Sequence, residues 1–522
     1  MTSMIVVKNS AVAATLALAV LAVGFTPHQA SAQLTDISGL SSNPDGGDPA
    51  DPLAVTACNG APQTGVVYRN SETEPHLAVN PTDPENMIAA WHQDRWSTGG
   101  GQSLGAAYSF DGGDTWTQVI IPFTRCSGGD GSAAGDFERA SDPWISFSPD
   151  GTAHYMALVF DDTVSENGMV VASSGDGGVT WSEPVAIKLS PAQDPVFASL
   201  FHDKNTLTAD PLDPNLVYAT WTLFRVGSTT LLFARSTDGG QSWGPPRPVN
   251  NFEKVDPANL AVFRQGAQIV VLPDGTLVDA FFRILQHQVT GVLTFEQALF
   301  RSFDEGRHWE HLDTVVSEFD DVTAVDPELG IPVRDAGEIP DVAVNRTTGA
   351  LYTVWQDGNA NGAGLTGIFI ATSTDGGSTW SAPVLANPGT PNPTVQAFLP
   401  TVAVNDAGIV GVLFYDFRND VPGDAPLSTD VWLSLFDADL AFQEERRLTP
   451  ESFDLRQSVI TGARGYFPGD YVGLDTADND FVAAFTMTND LGLAVDFPQD
   501  NNGVFVDDNN RQDIVFARET MP

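Results

Sequence analysis

Charged and aromatic side chains recur in this 522-residue chain just before or just after short hydrophobic runs. A pair of carboxyl groups with different environments could act as acid and base, and a guanidinium group could bind an anionic ligand. The candidate catalytic residues are Asp94, Glu338, Tyr415 and Asp416. The candidate ligand-binding residues are Arg95, Arg139, Asp142, Arg283 and Arg418. The metal ligands, if any, stay unknown at this point.

The hydrophobic runs that must position these side chains are typical of β-strands. One set begins just after the first group of charged residues, at 75–81, 143–148, 205–209, 267–271, 340–345, 400–405 and 469–474. A second set follows after short turns, at 87–91, 153–160, 216–221, 277–282, 351–355, 409–415 and 481–487. The turns contain Asp, Asn, Pro and Gly, which are hairpin signals. The sequence therefore predicts an all-β fold with a repeated unit.

An eight-residue pattern, Ser-x-Asp-x-Gly-x-x-Trp, occurs five times at intervals of 62 to 71 residues. Its Asp and Trp positions are Asp111 and Trp116, Asp176 and Trp181, Asp238 and Trp243, Asp304 and Trp309, and Asp375 and Trp380. Asp and Ser can bond nearby backbone groups, Gly permits positive φ, and Trp can pack beneath the turn. Repetition at a long period indicates a repeat architecture, with each copy as a turn between two strands.

The pattern resembles the Asp box, or BNR repeat, of the sialidase-like β-propellers, and the resemblance covers roughly residues 65 to 519. It implies four-stranded blades with the boxes on the outer rim, away from a central funnel that holds the chemistry. We predict a propeller domain at 63–522 with seven blades, six being the alternative. The segment 64–68 is predicted to add the outer strand of the last blade and so close the ring.

The resemblance also implies action on extracellular glycan, as an exo-sialidase-like glycoside hydrolase. The alternatives are a polysaccharide lyase acting on uronic acids and a propeller that binds glycan or protein without catalysis. Sialidases carry an Arg-Ile-Pro motif at the first inner strand, and this chain reads Glu74-Pro75-His76 there. An acidic group at that place works against a sialic acid carboxylate. A glycosidase is favoured slightly over a binding protein.

The beginning of the chain indicates export. A signal peptide is predicted at 1–32, followed by a flexible acidic segment at 33–62, so the protein is expected outside the cell or in the periplasm. In that setting Cys58 and Cys126 predict a disulfide.

The composition limits the partners. The net charge of −43 argues against nucleic acid and anionic membranes, and no segment after the signal peptide is predicted to span a membrane. We expect a monomer without a cofactor. The Asp- and Asn-rich stretch at 500–510 leaves structural calcium as an option.

Overall fold

Antiparallel strands make up nearly all the regular structure of the computed structural model. It describes residues 33–39, 41, 43, 67–131, 134–162, 166–191, 200–249, 260–337, 339–358, 365–388, 395–424, 426–461, 465–488 and 511–521. The predicted signal peptide, Cys58, Glu338 and the 500–510 stretch lie outside these residues. Within them, no helix is long and apolar enough to cross a membrane.

The strands form consecutive four-stranded units, apart from a few short strands. Two short strands come first, β1 (Thr35–Asp36) and β2 (Val67–Tyr68). Unit 1 has β3 (Thr73–Val79), β4 (Met87–Trp96), β5 (Gly101–Ser109) and β6 (Thr117–Ile120). Unit 2 has β7 (Arg139–Phe147), β8 (Ala153–Phe160), β9 (Asn167–Ser174) and β10 (Val185–Ser190). Unit 3 has β11 (Phe201–Ala209), β12 (Val217–Arg225), β13 (Ser228–Ser236) and β14 (Arg247–Pro248). Unit 4 has β15 (Leu260–Val271), β16 (Leu277–His287), β17 (Leu293–Ser302) and β18 (Thr314–Phe319).

The second half of the chain continues the pattern. Unit 5 has β19 (Asp341–Val344), β20 (Leu351–Asp357), β21 (Gly367–Ser373) and β22 (Val384–Leu385). Unit 6 has β23 (Ala397–Val404), β24 (Val410–Asp416), β25 (Ser428–Phe436) and β26 (Phe442–Arg447), with β27 (Phe453–Asp454) also paired to β25. A short hairpin follows, β28 (Ile460–Thr461) with β29 (Gly465–Tyr466). Unit 7 has β30 (Gly473–Ala477), β31 (Asp480–Thr488) and β32 (Gln512–Glu519). Two single-turn 3-10 helices span Arg125–Ser127 and Leu455–Gln457.

The outer strand of unit 7 comes from the beginning of the chain. β1 pairs antiparallel with β32, with Thr35 opposite Phe516. The sequence predicts segment 64–68 for this role, and that prediction is wrong for its described part. β2 pairs instead with the end of β4, where the buried Val67 lies opposite the buried Trp96.

The first strands of successive units are linked by side chains. Each link joins a polar side chain of one first strand to the backbone of the next. The links are Ile145 N–H to His76 Nδ1 at 3.3 Å, Ala209 N–H to Ser146 Oγ at 3.0 Å, Thr206 Oγ1–H to Ala267 O at 2.9 Å, Val342 N–H to Gln268 Oε1 at 3.1 Å, Val402 N–H to Asp341 Oδ2 at 2.7 Å and Val79 N–H to Asp475 Oδ2 at 2.9 Å. The last of these bonds joins unit 7 to unit 1.

The hydrophobic core lies between neighbouring units. Met156 of unit 2 packs in one cluster with Trp221 of unit 3, and Met87 of unit 1 packs with Phe516 of unit 7. Trp221 is fully buried in the second strand of its unit. Burying such a large side chain contributes on the order of 2–3 kcal/mol. Because each unit buries its faces against two neighbours, the units hold one another in place.

Candidate functional site: a carboxyl pair in the funnel pocket

A pocket of about 350 Å³ opens where the first strands of units 1 to 3 begin. We call it the funnel pocket. Its titratable lining includes Glu74, Arg95, Asp142, Asp203, Lys204 and Arg334. Most of these side chains follow the sequence rule that charged groups at strand ends surround a common centre.

β-Bulges aim three of these side chains into the pocket. Glu74, Asp142 and Lys204 have φ of 55°, 53° and 53°, and each lies where the pairing of its first strand shifts register. A non-glycine residue in this left-handed region costs about 1–2 kcal/mol. A bulge redirects a side chain out of the strand alternation. A bulge at the same position in three units therefore brings two carboxyl groups and one amine to one place.

Asp142 and Asp203 form a carboxyl pair that shares one backbone donor. The N–H of Lys204 lies 2.9 Å from Asp142 Oδ2 and 2.8 Å from Asp203 Oδ1. Asp142 accepts a further bond from the Ser141 hydroxyl, at 2.7 Å. Two carboxylates that face the same donor disfavour each other's ionisation, so the pair takes up a proton more readily than two separate carboxylates would.

The environments of the two carboxyl groups give them different pKa values, so a proton on the pair favours one of them. Burial raises the pKa of Asp203 to about 7, and the Asp142 carboxylate adds to the rise against the opposing charge of Lys204. Burial also tends to raise the pKa of Asp142, but the Lys204 ammonium, the Ser141 hydroxyl and His92 outweigh it and lower that pKa. Asp142 is therefore the ionised partner, and Asp203 holds a proton near neutral pH. Such a division is what an acid–base catalyst requires.

A buried ion bridge separates this pocket from a second cavity. Asp470 Oδ2 contacts Lys204 Nζ and lies 2.6 Å from Arg334 Nη2. Burial tends to raise the pKa of Asp470, but the two cations outweigh it and lower that pKa strongly. Lys204 lines both cavities, and Asp470 lines the second, an axial cavity of about 440 Å³ between the first strands. The bridge is therefore the floor of the funnel pocket.

Two guanidinium groups lie on the ring of Phe467. Arg95 is 4.8 Å and Arg334 4.4 Å from its centroid. Arg95 Nη1 donates to Gly100 O at 2.6 Å, and burial lowers the Arg95 pKa to about 10. Arg95 Nε is buried with no hydrogen-bond partner within the described part of the chain. It is an unsatisfied donor buried beside the pocket.

Glu74, His92 and Asp142 lie close enough together to suggest a metal site. The Asp142 N–H, however, donates to His92 Nε2 at 3.0 Å, and Glu74 Oε2 lies 2.7 Å from the same nitrogen. A metal ion at Nε2 would face the positive end of that N–H dipole. The three residues therefore fit a hydrogen-bonded array better than a metal site.

The structure brings Arg95 and Asp142 together at the funnel pocket, among the residues singled out from the sequence. Asp94, next to Arg95, is fully buried and accepts bonds from Ser41, Asn43 and the Asn70 N–H. The Arg139 guanidinium stacks on Trp96 at 4.4 Å. Neither Asp94 nor Arg139 lines either cavity.

Four other candidates, Tyr415, Asp416, Arg283 and Arg418, lie inside the units, and none of the four lines either cavity. Tyr415 is fully buried, bonds to Thr486 O at 3.0 Å, and has its pKa raised by burial. Asp416 lies 2.5 Å from Arg418, which stacks on Trp432. Burial raises the pKa of Asp416 to about 6 against that arginine.

In unit 4, Arg283 pairs with Glu296 and with Asp313, the latter at 2.6 Å. Cys126 is buried and disulfide-bonded. Its pairing with Cys58 stays a prediction, because Cys58 lies outside the described residues, as does Glu338.

Sequence reasoning missed Arg334 and Phe467. Both lie on loops before first strands rather than at strand ends, so the positional rule did not reach them. Arg334 is nonetheless a basic residue in a stretch with few others, which is a usable signal in so acidic a chain.

The repeated Ser-x-Asp-x-Gly-x-x-Trp turns lie far along their units from the funnel pocket, between third and outer strands. In the first copy, Asp111 accepts from Ser109 Oγ at 2.8 Å, Thr115 N–H at 2.8 Å and Thr115 Oγ1 at 2.6 Å. Gly113 has φ of 95°, and a Cβ there would lie 2.1 Å from the Phe516 ring. Trp116 Nε1 donates to Gly113 O at 3.0 Å. These bonds make the pattern a structural turn.

No protein-family model and no curated protein matches the chain. Among solved structures, it is similar to a Penicillium chrysogenum α-L-arabinanase complexed with arabinobiose, at 14% identity over 72% of this chain and 96% of that one, with a TM-score of 0.45. It is similar to a Hadza microbial sialidase at 15% identity, covering 84% and 75%, with a TM-score of 0.42. It is also similar to a leech intramolecular trans-sialidase, at 14% identity over 88% of this chain and 69% of that one, with a TM-score of 0.39. These neighbours are sialidase-like and arabinanase proteins at low identity, and at these scores the likeness carries no conclusion about reaction or substrate.

Proposed function

We propose that the chain is a secreted β-propeller glycoside hydrolase in which Asp203 is the general acid and base. The observation that carries this is the Asp142–Asp203 pair, with its unequal protonation, at the floor of the funnel pocket. Asp203 is half-buried, so a substrate oxygen can approach it. Unlike Asp416, it forms no ion pair with an arginine among the described residues.

In the proposed reaction, Asp203 gives its proton to the leaving glycosidic oxygen and later takes one from the attacking water. Asp142 stays ionised and stabilises positive charge that develops on the sugar. Glu74 supplies a further carboxyl group on the pocket wall.

The charges favour a neutral glycan over an anionic one. Five acidic residues line the funnel pocket, namely Glu74, Asp142, Asp161, Asp162 and Asp203, against the three cations Arg95, Lys204 and Arg334. Arg334 and Lys204 already bind Asp470. To pair with these cations, an anionic sugar would have to displace Asp470. Its charge would also lose water next to the other carboxylates, which repel it. We therefore do not extend the exo-sialidase-like expectation to sialic acid as the substrate.

Seven blades, closed by β1, complete the proposed architecture. Support comes from the pairing of β1 with β32 and from the bond between Asp475 and Val79. The repeated turns act as Asp boxes on the outer rim. We expect the mature protein to be an exported monomer.

The test is a glycan screen of the purified protein. It covers aryl glycosides and polysaccharides of neutral sugars, with sialosides and uronides as the anionic set. We expect release from a neutral substrate, and Asp203→Asn should lower kcat by roughly 10²–10⁴-fold. Asp416→Asn is the matched control, since Asp416 is also a buried carboxyl with a raised pKa but lies away from both cavities. Release from anionic substrates alone would contradict the substrate class, and full activity of Asp203→Asn would contradict the mechanism. Saturable binding without release would favour the non-catalytic alternative.

A further inference from the structure

When two carboxyl groups share a proton, the one whose anion is better stabilised by its neighbours gives the proton to the other. The Lys204 N–H serves both members of the pair almost equally, at 2.9 Å and 2.8 Å, so it does not decide. Asp142 has one further side-chain donor, the Ser141 hydroxyl at 2.7 Å from Oδ1. A carboxyl group that receives more donors is stabilised as the anion.

Ser141 is itself held in position. Its Oγ lies 3.2 Å from His92 Nε2, and the His92 ring also takes the Asp142 N–H at 3.0 Å. Glu74 Oε2 lies 2.7 Å from the same nitrogen. Glu74, His92, Ser141 and Asp142 are all buried, with relative exposures of 1%, 0%, 8% and 2%. Water therefore offers no substitute for the Ser141 hydroxyl.

We propose that Ser141 is the positioning residue that assigns the shared proton to Asp203, with the His92 ring packed against its Oγ and limiting its rotation. This rests on the proposed function only in making Asp203 the acid that meets the substrate. Without the hydroxyl, Asp142 loses the donor that Asp203 lacks. The proton then moves inward to Asp142, and Asp203 becomes an ordinary carboxylate.

Of the charged groups near the pair, Lys204 acts on both members. Asp470 and His92 act on Asp142, where Asp470 raises the pKa and His92 lowers it. Arg95 and Arg334 lie across the pocket on Phe467. Ser141 is the neighbouring side chain that donates a hydrogen bond to Asp142.

The test needs no substrate, so its failure is separate from failure of the proposed function. A diazo amide that esterifies protonated carboxyl groups is applied to the full chain at a series of pH values, and the ester on Asp203 is measured by peptide mass spectrometry. In the wild type we expect labelling of Asp203 to persist to about pH 7. In Ser141→Ala the midpoint should fall by about one pH unit or more, since a bond to a charged group has been lost.

Ser141→Thr is the matched control because it keeps a hydroxyl, and its midpoint should equal that of the wild type. His92→Gln, which removes the group behind Ser141, should lower the midpoint as well and provides the readout if Ser141→Ala does not fold. Thermal unfolding of each variant shows whether the fold is intact. An unchanged midpoint in a folded Ser141→Ala or His92→Gln protein would overturn the proposal.

Discussion

The outer turns and the beginnings of the first strands both recur in successive units. The turns keep their residues from unit to unit, whereas the strand beginnings do not. At the outer turns five units keep the same Ser, Asp, Gly and Trp and the same bond from the Ser hydroxyl to the Asp carboxylate. At the first-strand bulges the residue with positive φ is Glu74, Asp142, Lys204, Gly266 or Leu399, depending on the unit. One region repeats its chemistry, and the other repeats only its backbone.

This difference separates the residues that stabilise the fold from the residues that form the candidate site. A turn that closes on itself needs the same donors and acceptors in every unit, so it stays uniform. A bulge aims whatever side chain it carries at the common centre, so a different residue in each unit gives one site of mixed chemistry. In units 1 to 3 these residues are acidic, acidic and basic. All three line the funnel pocket, and Asp142 is one member of the carboxyl pair.

The largest effect is expected at the funnel end, from Asp94→Ala. Asp94 is fully buried and ties Ser41 and Asn43 of the N-terminal segment to β4, next to Arg95. Its removal leaves several buried donors unpaired, so the free energy of unfolding should fall by about 3–5 kcal/mol, measured by urea denaturation. Asp94→Asn keeps the shape and should lose less. A loss below 1 kcal/mol for Asp94→Ala would contradict the view that the bonds from Ser41 and Asn43 to Asp94 stabilise the funnel end.

A smaller effect of opposite sign is expected midway along a unit, from Asp279→Ala. Asp279 is fully buried in β16, and neither carboxyl oxygen has a hydrogen-bond partner among the described residues. The corresponding residues of β4 and β12 are Ala89 and Ala219. The substitution should raise the free energy of unfolding at pH 7 by about 1–2 kcal/mol.

The sign of its pH dependence follows from burial, which raises the pKa of Asp279 well above its usual range. The wild type is then most stable below the unfolded pKa of about 4 and loses stability as pH rises towards the folded pKa. The advantage of Asp279→Ala should therefore grow between pH 4 and pH 7. Urea midpoints at several pH values measure it, and an advantage that shrinks with pH would contradict this account.

The smallest effect is expected at an outer turn, from Asp375→Ala. This exposed carboxylate accepts Thr379 N–H at 2.9 Å and Thr379 Oγ1 at 2.7 Å, and these bonds lower its pKa to about 2. Stability should fall by about 1 kcal/mol or less, because water screens the site, with no change in hydrolysis. The contribution is present above pH 4 and is lost as pH falls towards 2.

Its control tests whether the turns are interchangeable. Gln241→Ser with Ser242→Thr gives the unit 3 turn the residues of the unit 5 turn. The free energy of unfolding should change by less than about 0.5 kcal/mol. A change in hydrolysis rate in either turn variant would contradict the division between the two regions.

The sequence allows the repeated turns and the second strands to be predicted because their signals are local. The β31 prediction at 481–487, for example, differs from the observed Asp480–Thr488 by one residue at each end. The closing strand could not be located, because β1 meets β32 through a pairing that joins the two ends of the chain. Tyr415 and Asp416 have suitable chemistry at a suitable strand end, but their side chains lie inside unit 6. Which strand-end groups converge depends on bulges and loops from distant units, and single-chain patterns do not encode that geometry.

The pH–rate profile of hydrolysis tests the central claim most directly, since the claim assigns the acid to one residue. With Asp203 as the acid, kcat should fall on the alkaline side with an apparent pKa near 7. In Asp203→Asn the alkaline fall of kcat should disappear, and most of the rate should be lost. Asp416→Asn should keep the rate and the alkaline fall of the wild type. An alkaline limb that survives unchanged in Asp203→Asn would contradict the account.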